Sequence, residues 1–221
     1  MEGLNLVTRS RAVGFGSTLA SGAAGAVPRP VGNLIQVDFD AIGGIEYFYA
    51  LTNRGLARSV DGGQSWVVLG LSKAPSMAWA ALCLASDGSL YAASFRTSTT
   101  SGSQVWRITS PRGAALISAV RNAPAVVEDL RAVGGQVFAA CGSHGLYSNT
   151  PATWSAIAPS TFAGCHLSSV DGLGTTVYVG AATFPKNSQK CIAVSCDGGR
   201  SFRWATPASN VSQIVAGTGR R

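Results

Sequence analysis

The feature that most constrains this chain is that it repeats. A unit of four short apolar runs separated by turn residues recurs four times. The runs are residues 34–40, 47–52, 55–59 and 66–69; 81–85, 90–94, 105–109 and 115–118; 126–133, 137–141, 145–148 and 154–157; and 166–170, 176–180, 191–195 and 202–204. A repeat decides the fold before any single residue does, because each unit buries its apolar faces only against its neighbours.

Four strands per unit at a period of roughly 40–50 residues is the spacing of a propeller blade. The reading is therefore all-β, a β-propeller of four clear four-stranded blades. Two stretches are left over. Val211-Ser-Gln-Ile-Val215 reads as the first strand of another blade, and residues 4–8 and 12–18 read as later strands of one. A fifth blade shared between the two termini would close the ring and cover two sheet edges. Four blades with two extended arms is the alternative. The chain divides accordingly into residues 1–30, an arm or closing strands; 31–209, the propeller; and 210–221, a strand and basic tail.

Composition fits many short strands joined by turns. Gly accounts for 27 of 221 residues, hydrophobic residues for 46% and charged ones for only 12%, which excludes a disordered chain. No long apolar stretch with a 3.6-residue period marks a helix. The expectation is synthesis in the cytoplasm without a membrane span. Residues 1–6 lack the basic region and apolar core of a signal peptide, and no 18-residue apolar stretch occurs. The net charge of +7 reflects scarce carboxylates more than abundant bases. No dense basic cluster interleaved with aromatics occurs, so nucleic acid is not an expected partner. Arg9, Arg11, Arg220 and Arg221 leave basic ends that can reach a neighbouring subunit. The five cysteines are odd in number and form no C-x-x-C pair, so they read as free thiols. Of these, only Cys165 adjoins a histidine, His166, and successive strand residues point to opposite faces. Neither a metal nor a cofactor is expected.

Two copies of one motif, S-x-D-G-G-x-S-aromatic, sit at matching places in the repeat. They are Ser59-Val-Asp-Gly-Gly-Gln-Ser-Trp66 and Ser195-Cys-Asp-Gly-Gly-Arg-Ser-Phe202. The residue types suit a turn. Asp61 or Asp197 can accept hydrogen bonds from backbone N–H groups just ahead of it. Gly63 or Gly199 can take a positive φ where the chain reverses. Trp66 or Phe202 then starts the next strand with a ring to bury between sheets. A shorter third copy, Ser148-Asn-Thr-Pro-Ala-Thr-Trp154, has no Asp, and Thr109-Ser-Pro-Arg-Gly113 keeps the place but not the motif.

These residues resemble the Asp-box, or bacterial neuraminidase repeat, family across about residues 31–207. The resemblance implies a propeller whose boxes lie between third and fourth strands, at the rim and away from the axis. Ser59, Asp61, Gly63, Trp66, Ser195, Asp197, Gly199 and Phe202 are then structural.

Sialidases and other glycosidases are among Asp-box propellers, so catalysis is weighed directly. The family's F/Y-R-I-P segment is only echoed by Phe95-Arg96-Thr97 and Phe202-Arg203-Trp204. Glycoside hydrolysis needs two carboxylates across one bond. Of the ten acids, Asp61 and Asp197 belong to boxes, Asp87 and Asp171 to D-G turns, and Glu2 to the terminus. Asp38 and Asp40 share a strand face and can bind a cation, point into the central channel or cap a strand end in solvent. Glu128 and Asp129 face opposite ways in an extended strand. His144 sits in a turn and His166 opens a strand, so neither assembles a nucleophile constellation. No catalytic residue is expected.

The remaining function classes are a subunit of an assembly, for instance a bacteriophage tail, nozzle or fibre component of the virion, or a binding propeller, either lectin-like or an assembly factor. The expected partners are other protein subunits or a glycan. Trp79 and Trp106 are candidates to stack on sugar rings or to pack between blades, and Asp38 and Asp40 complete the candidate binding set.

Overall fold

The computed structural model describes residues 34–70, 77–96, 103–113, 115–120, 126–150, 153–183 and 192–205. Among them are sixteen strands in four four-stranded antiparallel sheets, and no helix. The first sheet is β1 (Leu34–Ile42), β2 (Ile45–Thr52), β3 (Gly55–Ser59) and β4 (Val67–Val68). The second is β5 (Met77–Leu84), β6 (Leu90–Arg96), β7 (Gln104–Thr109) and β8 (Leu116–Ala119). The third is β9 (Asp129–Val133), β10 (Gln136–Ala140), β11 (Leu146–Thr150) and β12 (Thr153–Ile157). The fourth is β13 (His166–Leu173), β14 (Thr176–Thr183), β15 (Ile192–Ser195) and β16 (Arg203–Ala205). Strands pair in sequence order within every sheet, so each repeat unit is one sheet.

The first strands line up about one axis: β1 packs on β5, β5 on β9, and β9 on β13. This is a β-propeller with the four expected blades. Among the described residues β13 and β1 make no comparable contact, which leaves a seam between the fourth and first sheets. The closing blade expected from residues 1–30 and 210–221 lies outside the described residues.

Three apolar clusters fill the spaces between successive sheets. Tyr49, Leu51 and Leu56 meet Trp79, Leu82 and Ile108. Ala81, Cys83 and Val105 meet Val127, Leu130 and Trp154. Val133, Phe138 and Leu146 meet Leu167, Val170 and Val179. The inner strands are covered on both faces, so they read as unbroken apolar runs with small residues, such as Val137-Phe-Ala-Ala140.

One turn differs from expectation. Asp171-Gly172 is not a turn: both residues lie in β13, with Asp171 opposite Tyr178. The reversal comes two residues later, where Gly174 takes φ of 62°. Gly172 is needed for close packing instead, because a Cβ there would stand 2.3 Å from the Thr176 carbonyl oxygen and 2.7 Å from Val133 Cγ1.

Candidate functional site

In a meander of four strands, the β1–β2 and β3–β4 turns and their counterparts leave one face of the propeller. The other turns and the inter-blade links leave the opposite face. The first face carries an open cleft of about 360 Å³ beside the axis, lined by Asp40, Ile42, Ser86, Gly88, Arg112 and Gly134. A second cleft of about 340 Å³, between the turns of the third and fourth sheets, includes Gln136, Thr175, Cys196 and Arg200.

Asp38 and Asp40 project from β1 toward the second sheet. Asp38 Oδ2 accepts the Leu84 N–H at 2.8 Å. Gln36, two residues earlier, donates to the Leu82 carbonyl at 2.7 Å and accepts the Leu82 N–H at 2.9 Å. Asp40 pairs with Arg112, whose Nε lies 2.8 Å from Oδ2 and whose guanidinium stands over the Tyr47 ring at 5.9 Å. The two side chains are 16% and 33% exposed, so the pair is half-buried in the cleft wall. Both aspartates therefore join the first blade to the second.

Arg131 on β9 lies near the axis, its Nε 3.9 Å from Asp171 Oδ1. Burial works against its charge, and Asp129, Asp171 and Asp38 outweigh that burial, so the guanidinium is held above its ordinary pKa. Four inner-strand charges thus converge from three sheets.

The opposite face brings together two residues that sequence spacing kept apart. Glu128 Oε1 and His166 Nε2 are 2.7 Å apart, linking the entries to β9 and β13. Gly142 is fitted over them; a Cβ there would meet Glu128 Oε1 at 2.9 Å and His166 Cε1 at 3.1 Å. They stand 38 positions apart in sequence, and only the register of neighbouring inner strands reveals the pair. Burial first, and Glu128 second, push up the pKa of the adjacent Cys141 thiol. Among the described residues, no group of three or more His, Cys, Asp or Glu side chains is placed to hold a metal ion.

The two box turns have one geometry. Ser59 Oγ donates to Asp61 Oδ1 at 2.7 Å and accepts the Gly63 N–H at 2.9 Å. Asp61 Oδ1 accepts the Ser65 N–H at 2.9 Å, and Oδ2 accepts the Ser65 hydroxyl. In the fourth sheet Ser195 Oγ donates to Asp197 Oδ1 at 2.7 Å and accepts the Gly199 N–H at 2.8 Å; Asp197 Oδ1 accepts the Ser201 N–H at 3.0 Å. Gly63 and Gly199 take φ of 89° and 87°. The Ser65 and Ser201 side chains and N–H groups, helped by Ser59 and Ser195, hold both carboxyls well below the usual carboxylate range. Trp66 does not bury its ring between sheets. β4 begins one residue later, and the indole folds back on its own turn, its N–H donating to the Gly63 carbonyl at 2.9 Å. Phe202 packs edge-on against Phe162 at 5.2 Å.

Trp79 is 4% exposed and packs against Trp106 at 5.0 Å between ring centroids. Its ring is committed to the core between the first two sheets, with no open face for a sugar.

No protein-family model matches the chain, and no curated protein shows significant similarity to it. Solved structures do resemble it. It superposes on an ancestral GH74 enzyme with a TM-score of 0.52 at 13% identity, over 79% of this chain and 26% of that one. A GH74 xyloglucanase from Xanthomonas campestris gives a TM-score of 0.32 at 17% identity, over 78% and 21%. A mutant of Trypanosoma rangeli sialidase displaying trans-sialidase activity gives 0.41 at 12% identity, over 76% and 37%. The likeness is one of fold, and the chain spans about a quarter of the length of the first enzyme.

Proposed function

We propose that this protein is a non-catalytic β-propeller that serves as a structural or binding component of a larger protein assembly, with a bacteriophage tail, nozzle or fibre as its setting. The observation that carries the reading is an uneven apolar surface. Val37, Ile42, Ile45, Val60, Val67 and Val68 are each 43–62% exposed, and all lie in the first repeat unit, on its strands or the β3–β4 turn; elsewhere only Leu173 matches them among the described residues. Apolar residues concentrated on one blade fit a surface covered by another subunit. The use of the carboxylates supports the non-catalytic half. Asp61 and Asp197 are engaged by box serines, Asp40 by Arg112, Asp87 by Arg107, and Asp38 and Asp129 by backbone N–H groups of the next sheet. The virion setting rests on composition: abundant Gly and little charge.

Sedimentation velocity across a concentration series tests the assembly reading. Self-association that Val67→Lys with Val68→Lys abolishes, without a fall in melting temperature, is the expected result. Identical sedimentation of both proteins at every concentration counts against a self-assembling subunit. Turnover of a fluorogenic sialoside or hexoside series, lost in Asp38→Asn or Glu128→Gln, would overturn the non-catalytic reading. The second reading, a glycan-binding propeller, is favoured by the cleft of about 360 Å³ with Arg112 and Asp40 in its wall. Retention on a glycan array, lost in Arg112→Ala, would select it.

A further inference from the structure

β4 is the outer strand of the first sheet, and among the described residues it has a neighbour on one side only. Its pairing fixes which backbone groups are left over. Ala57 stands opposite Val68 and Arg58 opposite Val67, and the Leu69 N–H donates to the Leu56 carbonyl at 2.9 Å. In an antiparallel ladder, pairs that exchange hydrogen bonds alternate with pairs that do not. Val67 and Leu69 therefore turn their N–H and C=O groups toward β3. Val68, between them, turns both of its groups outward, to the open edge.

Native proteins blunt such edges with charged or polar side chains. The outer strands of the other sheets follow that pattern. Their exposed residues are Ser118 and Ala119 on β8, Thr153, Ser155 and Ala156 on β12, and Arg203 and Ala205 on β16. β4 instead presents Val67 and Val68, 56% and 62% exposed, one on each face of the sheet. Charge does not guard its flanks either, because residues 62–70 carry none. Arg58, beside Val67, is turned to the second sheet, where it donates to the Pro111 carbonyl at 3.0 Å. The Asp61 carboxylate is engaged by Ser59 and Ser65.

These features select a second copy of this chain as the occupant. The strand is self-complementary about Val68. A two-fold axis through that residue sets Val68 against the partner's Val68 and Val67 against the partner's Leu69, apolar against apolar on either face. Copies of a chain with a net charge of +7 repel each other, so they meet most readily where charge is absent. We propose that two copies pair β4 to β4 in antiparallel fashion, each Val68 N–H donating to the other's Val68 carbonyl, so that the two first sheets join into one continuous sheet. The pairing rests on the assembly reading, and it names the partner and the geometry. Because both copies use the same edge, the contact closes at a dimer.

Sedimentation equilibrium of the full-length protein, with amide exchange read residue by residue by NMR, tests it. The expected result is a reversible dimer and nothing larger. Val68→Pro removes the outward N–H but no bond of the β3 ladder, so the fold should survive while the dimer weakens at least about tenfold. Val68→Thr, which keeps the N–H and the branched shape, should stay dimeric. In the parent dimer the Val68 amide should exchange slowly and become fast on dilution to monomer. The Leu69 amide, bonded to Leu56, should stay slow in both. This measurement decides the matter even where the proline variant does not fold. Fast Val68 exchange in the dimer, an undiminished dimer in Val68→Pro, or growth beyond a dimer overturns the edge pairing and leaves self-assembly standing. A parent that is monomeric at every concentration overturns both, and leaves the edge to a different protein.

Discussion

The first and fourth sheets hold the turn between their third and outer strands differently from the second and third. In the first and fourth, the box aspartate is held within its own turn: Asp61 is bonded by Ser59 and Ser65, and Asp197 by Ser195 and Ser201. In the second, the turn at Ser110–Gly113 is held by the first sheet. Arg58 donates to the Pro111 carbonyl at 3.0 Å, and Arg112 reaches Asp40. In the third, the connection tightens so that Thr150 pairs with Thr153, and Asn149 donates to the Tyr91 hydroxyl of the second sheet at 3.2 Å. With the motif, side-chain hydrogen bonds that hold the rim turn come from the same sheet; without it, a neighbouring blade supplies them. The turns with the motif belong to the two sheets that border the seam.

The sharpest way to break this comparison is at the box glycines. A methyl at Gly199 would stand 2.7 Å from Phe138 Cε1 of the third sheet, whereas one at Gly63 would stand 3.5 Å from Trp66 Cζ2 in its own turn. Both positions need a positive φ. Gly199→Ala should cost about 2–5 kcal/mol in urea denaturation and Gly63→Ala about 1–2 kcal/mol. Equal costs would mean that the fourth-sheet box, though locally bonded, is not seated on its neighbour.

A smaller effect is expected at the hold between the first two blades. Arg112→Ala removes the guanidinium from the half-buried Asp40 carboxylate and should cost about 1–3 kcal/mol. Arg112→Lys should recover only part of this, because Nε and Nη2 both contact Oδ2. A loss below about 0.5 kcal/mol, within the range of an ordinary surface change, would show that the second-sheet turn does not need the first sheet.

The smallest effect is that of the box carboxylates on acid stability. Their pKa lies below the unfolded value of about 4, so each stabilises fully above that pH and loses its contribution as the pH falls through the depressed value. Both are solvent-exposed, which keeps the effect modest. Melting curves should show Asp61→Asn with Asp197→Asn less stable at neutral pH and less sensitive to acid. An acid dependence identical to the parent's would assign it to other groups.

The repeat made the fold legible because each blade needs its own apolar strands and turn residues, and those recur in order. Tyr47-Phe-Tyr-Ala-Leu51 and Val137-Phe-Ala-Ala140 announce central strands wherever they are read. What depends on register was harder to see. Asp171-Gly172 has the letters of a turn, yet Gly174 reverses the chain and Gly172 serves the approach of Val133. Glu128 precedes β9 and His166 opens β13, and only the alignment of β9 with β13 makes them partners. Asp38 and Asp40 were visible as a same-face pair, but Leu84 and Arg112, which engage them, come from another repeat unit.

Each of the four described sheets takes its strands in order from one unbroken length of sequence. Hydrogen-bond pairing inside each of the four described sheets therefore does not wait for distant chain, and such a sheet can zip up soon after its fourth strand leaves the ribosome. The slower event is sheet meeting sheet. Tyr49, Leu51 and Leu56 stay bare until Trp79, Leu82 and Ile108 have been synthesised to cover them. Synthesis thus lays the blades down like courses of masonry, each new one sheltering the apolar face left by the last. Force applied at the two ends of the finished array would peel it one sheet at a time.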